Sequence, residues 1–168
     1  MAVQPFTQVI FGQPKIRISF NTAEIAGNAN KTIVLQGLVL NQPITKGPLA
    51  WIKVTRITAK DLFAEFEIIE FRTQKKEFNA VPIINTFTGL SAQRVTLSAS
   101  HVPGTFGIAF YLEGEGIVRA GLTRDGPELK VGLYEVRVTV DVASKLVANS
   151  KRRFVVQSDL PFAYWVRS

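Results

Sequence analysis

The feature that most constrains this chain is the spacing of its β-forming runs. Short segments rich in Val, Ile, Thr and Phe recur roughly every 8 to 15 residues, with Gly and Pro between them. Most of the 12 Gly and eight Pro fall at these breaks, where turns need them. No long window carries a clean helical period. Lys15 to Phe20 alternates Ile16, Ile18 and Phe20 against Lys15, Arg17 and Ser19, the period of a strand with one face inward.

The same reasoning places further strands along the chain. Residues 31–40 are apolar on both faces, as in a central strand. Residues 49–58 and 59–71 follow. The latter mixes strand alternation with helical spacing, and its β-formers Phe63, Phe66, Ile68, Ile69 and Phe71 decide for strand. Residues 78–89 contain Pro82 and read as an edge strand or an excursion. Strands are expected at 93–98, 105–112, 117–122, 132–143 and 152–157, with residues 145–150 joining the last two. Turns are expected at 26–30, 74–77, 113–116 and 124–127. Such spacing suggests a sandwich or a barrel.

Composition narrows the function classes. The chain has 168 residues, of which 46% are hydrophobic and 20% charged, which suits one globular domain. There is no Cys and one His, His101, so disulfides, thiolate metal sites and multi-histidine chemistry within the chain are excluded. The net charge of +7 raises the expectation of an anionic partner, but Lys and Arg are scattered. The densest basic run is Lys151-Arg152-Arg153, and residues 1–14 hold no basic arm. Nucleic acid is therefore not the expected partner. The N-terminus lacks the pattern of a signal peptide, which makes the cytoplasm the default expectation. The longest apolar stretch, residues 32–40, falls short of the roughly 20 residues that span a bilayer. The expected organisation is an extended segment at 1–14, one β-sandwich domain at 15–158 and an aromatic tail at 159–168.

Lys130-Val-Gly-Leu-Tyr-Glu-Val136 is the most specific local pattern, and it is followed by the alternating Val138, Val140 and Val142. It resembles the start of strand F in immunoglobulin-like domains, with Gly132 and Tyr134 matching and Lys130 and Val136 standing where Asp and Cys are usual. Leu35 stands at the matching strand B position, with Trp51 near the spacing of a strand C tryptophan. The resemblance implies an all-β, immunoglobulin-like antiparallel β-sandwich with extra strands between C and F; the alternative is a jelly roll. It also implies that Tyr134 is a corner residue whose hydroxyl bonds to nearby backbone.

Few residues suggest chemistry. Glu65 with Glu67, and Glu113 with Glu115, are i, i+2 carboxylate pairs, but each reads as a solvated surface. Glu113, Glu115, Asp125 and Glu128 offer oxygen ligands without a dense Asp/Asn loop, and His101 lies in a loop. No catalytic residue, metal or cofactor is therefore expected. The aromatics Phe162, Tyr164 and Trp165 follow the last expected strand, and Phe6, Ile10 and Phe11 precede the first. Aromatics beyond the core mark a segment that packs back or an interface, which makes Phe162, Tyr164 and Trp165 the candidate interface. The expected function is a non-enzymatic interaction or structural module, with a protein partner or self-association. The alternative is a carbohydrate-binding module stacking a sugar on Trp165, Tyr164 or Tyr111. A third class would bind nucleic acid along Arg94, Phe110, Arg137 and Arg153.

Overall fold

The computed structural model describes residues 13–26, 31–47 and 56–167. Trp51, Phe6, Ile10, Phe11 and most of the expected turn at 26–30 and strand at 49–58 lie outside that range. In chain order the strands are β1 (Ile16–Ala26), β2 (Lys31–Asn41), β3 (Ala59–Glu70), β4 (Lys76–Ala80) and β5 (Ile84–Asn85). They continue with β6 (Ser91–Ala92), β7 (Arg94–Leu97), β8 (Gly104–Leu112), β9 (Val118–Ala120) and β10 (Glu128–Leu129). The last three are β11 (Gly132–Val142), β12 (Lys145–Val156) and β13 (Ala163–Trp165). Among the described residues all pairings are antiparallel, and they form two sheets. The first runs β1-β2-β8-β5-β6, with β9 on β8 and β10 on β9; the second runs β13-β12-β11-β3-β4, with β7 also on β3. The fold is an all-β sandwich. Among the described residues no helix is long and apolar enough to cross a membrane.

The core lies between the sheets and follows from strand alternation. Leu35 and Val39 from β2, Phe66 and Ile68 from β3, Phe106 and Ile108 from β8, and Val136, Val138 and Val140 from β11 form one buried cluster. Leu35 and Val136, the positions matched to the paired cysteines, both lie in it.

Several boundaries differ from the sequence expectation. β1 continues past Phe20 to Ala26, because β2 offers an unbroken ladder from Ile16↔Asn41 to Ala26↔Lys31 and pairing outweighs weak propensity. Residues 56–58 are not strand. The expected turn at 74–77 lies a few residues earlier, since Lys76 already opens β4. The excursion at 78–89 is a change of sheet, from β4 in the second to β5 in the first. The expected connection at 145–150 is strand. β12 starts at Lys145, and the turn is the two-residue Ala143-Ser144 with φ of 50° and 64°. Two-residue hairpins of type I′ need positive φ at both central positions, which favours Asn-Gly over Ala-Ser. The double substitution Ala143→Asn with Ser144→Gly should therefore raise the unfolding free energy by about 1 kcal/mol in urea titrations. No gain would mean that the turn carries no strain.

The corner expected at Tyr134 is present. Its hydroxyl donates to the Lys130 carbonyl at 2.8 Å, and its ring stacks on Phe154 at 5.4 Å between centroids. Burial, and after it the nearby Glu77 and Glu70, push the phenol above its usual value. Tyr134→Phe should cost about 1 kcal/mol at neutral pH. The folded state holds the phenol proton more tightly than the unfolded chain, so this contribution is complete below the unfolded value near 10. It is lost as pH rises through the higher folded value. Stability measured from pH 8 to 11 should thus fall more steeply for the wild type than for Tyr134→Phe; parallel curves would contradict the assignment.

The C-terminal segment closes one edge. β13 pairs with β12 in the register Phe154↔Trp165 to Val156↔Ala163. The Trp165 indole donates to the Asn21 carbonyl of β1 at 2.7 Å, and its ring lies 5.1 Å from Phe20 and 5.7 Å from Phe154. Phe162 stacks on Tyr111 of β8 at 3.9 Å. Residues 162–165 therefore touch both sheets.

Candidate interaction surface

The outward positions of three adjacent strands make a grid. The β3–β11 and β11–β12 registers place Glu65, Thr139 and Asn149 in one row. They place Glu67, Arg137 and Lys151 in the next, and Ile69, Glu135 and Arg153 in the third. Side chains directly across an antiparallel pair sit about 5 Å apart, so opposite charges in a row attract. The Arg137 guanidinium lies 2.9 Å from the Glu135 carboxylate and 3.7 Å from Glu67. Lys76 of β4 reaches Glu67 at 2.6 Å, and Arg153 approaches Glu135 at 3.8 Å. Arg153 also lies 4.0 Å over the Phe71 ring.

Glu135 is the unusual member. Its side chain is only 7% exposed although it points away from the core. Two guanidiniums compensate it, which a carboxylate so removed from water needs. The remaining surface is an open depression of about 540 Å³, lined by Glu65, Glu67, Lys76, Asn79, Thr139 and Lys151 among others. Among the described residues Glu65 and Lys151 form no ion pair, so the depression presents one carboxylate beside Thr139 and one ammonium in the neighbouring row, beside Arg137. Charge on this face is close to balanced: Glu65, Glu67 and Glu135 face Lys76, Arg137, Lys151 and Arg153.

The expected site residues are distributed as follows. Phe162 and Trp165 pack against core side chains, while Tyr164 is 39% exposed. Tyr111, offered for sugar stacking, is buried under Phe162. The set Arg94, Phe110, Arg137 and Arg153 does not share a surface. Arg94 pairs with Asp61 at 2.9 Å beside β3, and Phe110 is buried in the first sheet. Glu65 and Glu67 do share the outer face, where Glu67 is tied into the ion pairs. Glu113 accepts the Lys31 amide at 2.9 Å, and Glu115 pairs with Arg119 at 3.3 Å. Among the described residues no three of His, Cys, Asp and Glu gather as a metal site, and His101 is exposed.

Sequence reasoning missed Lys76, Thr139, Asn149 and Lys151 as members of one surface. A signal was present in the basic run. Strand alternation sends Lys151 and Arg153 outward and Arg152 inward, where it approaches the Phe20 carbonyl at 3.5 Å and the Trp165 ring at 5.6 Å. Compared with known proteins, the sequence matches no family model and no curated protein.

Proposed function

We propose that this protein is a non-enzymatic interaction module, an immunoglobulin-like sandwich that acts through the outer face of β3, β11 and β12. The fold part of the reading draws on strand order. β1-β2-β8-β5 opposite β12-β11-β3-β4 follows the A-B-E-D and G-F-C-C′ arrangement of immunoglobulin domains. The Tyr134 corner bond supports the same assignment.

The functional part rests on one observation, the ion-paired grid around the open depression. Glu67, Lys76, Glu135 and Arg137 are already oriented by one another, so a polar protein surface meets a largely fixed frame in which only Glu65 and Lys151 have to be ordered. Charge balance favours a partner of mixed charge over a polyanion. The alternative, a carbohydrate-binding module, needs an aromatic platform. Of the three aromatics offered for it, Tyr111 is buried and Trp165 is committed to Asn21 and Phe20. A glycan array tests the choice. The interaction reading expects no selective sugar. Selective hits that survive Lys151→Glu and vanish in Tyr164→Ala would replace it with the sugar-binding reading.

A further inference from the structure

The strand ladders fix which loops share one end of the sandwich. β2 finishes at Asn41, whose Nδ2 donates to the carbonyls of Ile57 and Leu97. Leu97 closes β7 and pairs with Ala59, the first residue of β3. Leu62 of β3 lies opposite Val142, so the Ala143-Ser144 turn is at this end too. β8 begins here, with Gly104 opposite Val39. Asn85 of β5 pairs antiparallel with Thr105, which sends the β5–β6 turn at residues 86–90 out past the start of β8. The end therefore gathers that turn, residues 98–103 and the starts of β3 and β12.

Large apolar side chains project from it. Phe87 is 86% exposed, Leu90 69% and Leu146 61%, and Val102 and Val147 are exposed as well. The turn that carries Phe87 is firmly closed. Thr86 N–H donates to the Leu90 carbonyl at 2.9 Å, and Gly89 N–H donates to the Thr86 carbonyl at 3.0 Å. The Thr86 hydroxyl donates to the same Leu90 carbonyl at 2.9 Å, and Gly89 supplies a φ of 81°. Single exposed apolar residues are ordinary, but several on the loops of one end mark a surface that meets an apolar medium or partner.

The charge at this end is mostly of one sign. Lys15, Lys60 and Lys145 are exposed there, and Lys46 is exposed in the loop that leaves Asn41. Asp61 is paired with Arg94 at 2.9 Å, so among the described residues of this end Asp141 is the remaining acid. By sequence, residues 1–12 and 48–55 hold no Asp or Glu and add Lys53. The opposite end mixes Glu70, Glu113 and Asp159 with Lys31, Arg72 and Lys130. Excess positive charge beside projecting apolar tips complements a bilayer surface with anionic headgroups. The tips enter the boundary between headgroups and acyl chains, and lysine stems lie along it with their ammonium groups at the phosphates. A nucleic acid would use the charge and leave Leu90 and Leu146 in water. A folded protein would need a separate pocket for each tip, whereas a bilayer yields to all of them.

We propose that this end of the sandwich, a surface other than the outer face of β3, β11 and β12, docks on an anionic lipid bilayer with Phe87 and Leu90 inserted. Vesicle sedimentation at physiological salt tests it, with phosphatidylcholine alone and with about a third phosphatidylserine. The protein should sediment with the anionic vesicles and not with the neutral ones. Phe87→Ala, at a side chain that is almost free of contacts, should weaken binding about tenfold. Lys60→Glu with Lys145→Glu should weaken it about twentyfold or more, and Lys130→Glu at the opposite end about threefold at most. Because the chain has no Cys, Phe87→Cys and Val131→Cys each place one environment-sensitive fluorophore, at this end and at the other. Emission from position 87 should shift to the blue on adding anionic vesicles, and emission from position 131 should stay that of a solvated dye. No sedimentation with anionic vesicles, equal binding to neutral ones, binding unchanged by Phe87→Ala, or equal shifts from both labels would each overturn the proposal.

Discussion

Gly37→Ala should remove a sizeable part of the native stability, about 1 to 3 kcal/mol of the roughly 5 to 15 that domains possess. Gly37 lies on the inner face of β2 directly under the Phe106 ring. A Cβ at this position would stand 2.2 Å from Phe106 Cζ and within 2.8 Å of both Cε atoms, far inside contact distance. The ring cannot swing away cheaply. It is fully buried and lies 6.0 Å from the stacked ring of Phe66, which itself packs on Phe78 at 5.8 Å. Close packing passes the displacement on to those neighbours. The double variant Gly37→Ala with Phe106→Leu should recover part of the loss, because the smaller side chain makes room. A urea titration of the single variants and the pair gives the coupling. A Gly37→Ala protein as stable as the wild type would show that Phe106 does not occupy this position.

Asn41→Leu should cost about 3 kcal/mol even though the side chain keeps the same number and branching of heavy atoms. Asn41 is the one buried amide of the described core and joins three segments that sequence keeps far apart. Its Nδ2 donates to the carbonyls of Ile57 at 3.0 Å and Leu97 at 3.1 Å, and its Oδ1 accepts the Lys15 amide at 3.2 Å. Leucine would leave those backbone groups unpaired, and an unpaired buried group costs about 1 to 3 kcal/mol. Asn41→Asp keeps the acceptor, loses both donors and sets a carboxylate against two carbonyls. It should be the worse substitution at neutral pH and improve in acid as the carboxyl protonates. Thermal unfolding at pH 7 and pH 4 distinguishes the two. If Leu is neutral and Asp shows no pH effect, Asn41 is not the junction described.

Period-two alternation made the sandwich legible, because β3, β8 and β11 each carry enough Val, Ile and Phe to announce a buried face. The Gly132–Tyr134 pattern located the corner. β12 was concealed by its own residues. Lys145 to Ser150 lacks period-two alternation, with Leu146, Val147 and Ala148 consecutive, and the Ala143-Ser144 turn lacks the Asn or Gly that such turns prefer. Asn41 gave no signal, since Asn shortly before Pro43 reads as a turn residue. Its role comes from contacts 16 to 56 residues away. The outward direction of Glu65, Glu67 and Arg137 was readable one strand at a time. That Glu67, Arg137 and Lys151 form one row was not, because cross-strand register is fixed by long-range pairing. The burial of Glu135 follows from the same register, which sets Arg137 and Arg153 beside its carboxylate. The turn at Glu70 shows a similar limit. Its carboxylate accepts from the Thr73 hydroxyl and amide and the Arg72 amide, which holds it below the usual carboxylate range, and none of this is visible in Phe71-Arg-Thr-Gln74 alone.

The central claim is that the protein acts through the outer face of β3, β11 and β12, and site-specific photo-crosslinking in its native cell tests this directly. A photoreactive residue placed at Thr139, Asn149 or Lys151 should each give the same discrete adduct with another protein. A control at Arg17, on the outer face of the first sheet, should give none. Adding Glu65→Lys to the Asn149 probe should abolish the adduct while leaving the fold intact by circular dichroism. Equal diffuse labelling from both faces, or a discrete adduct from Arg17 alone, would contradict the account.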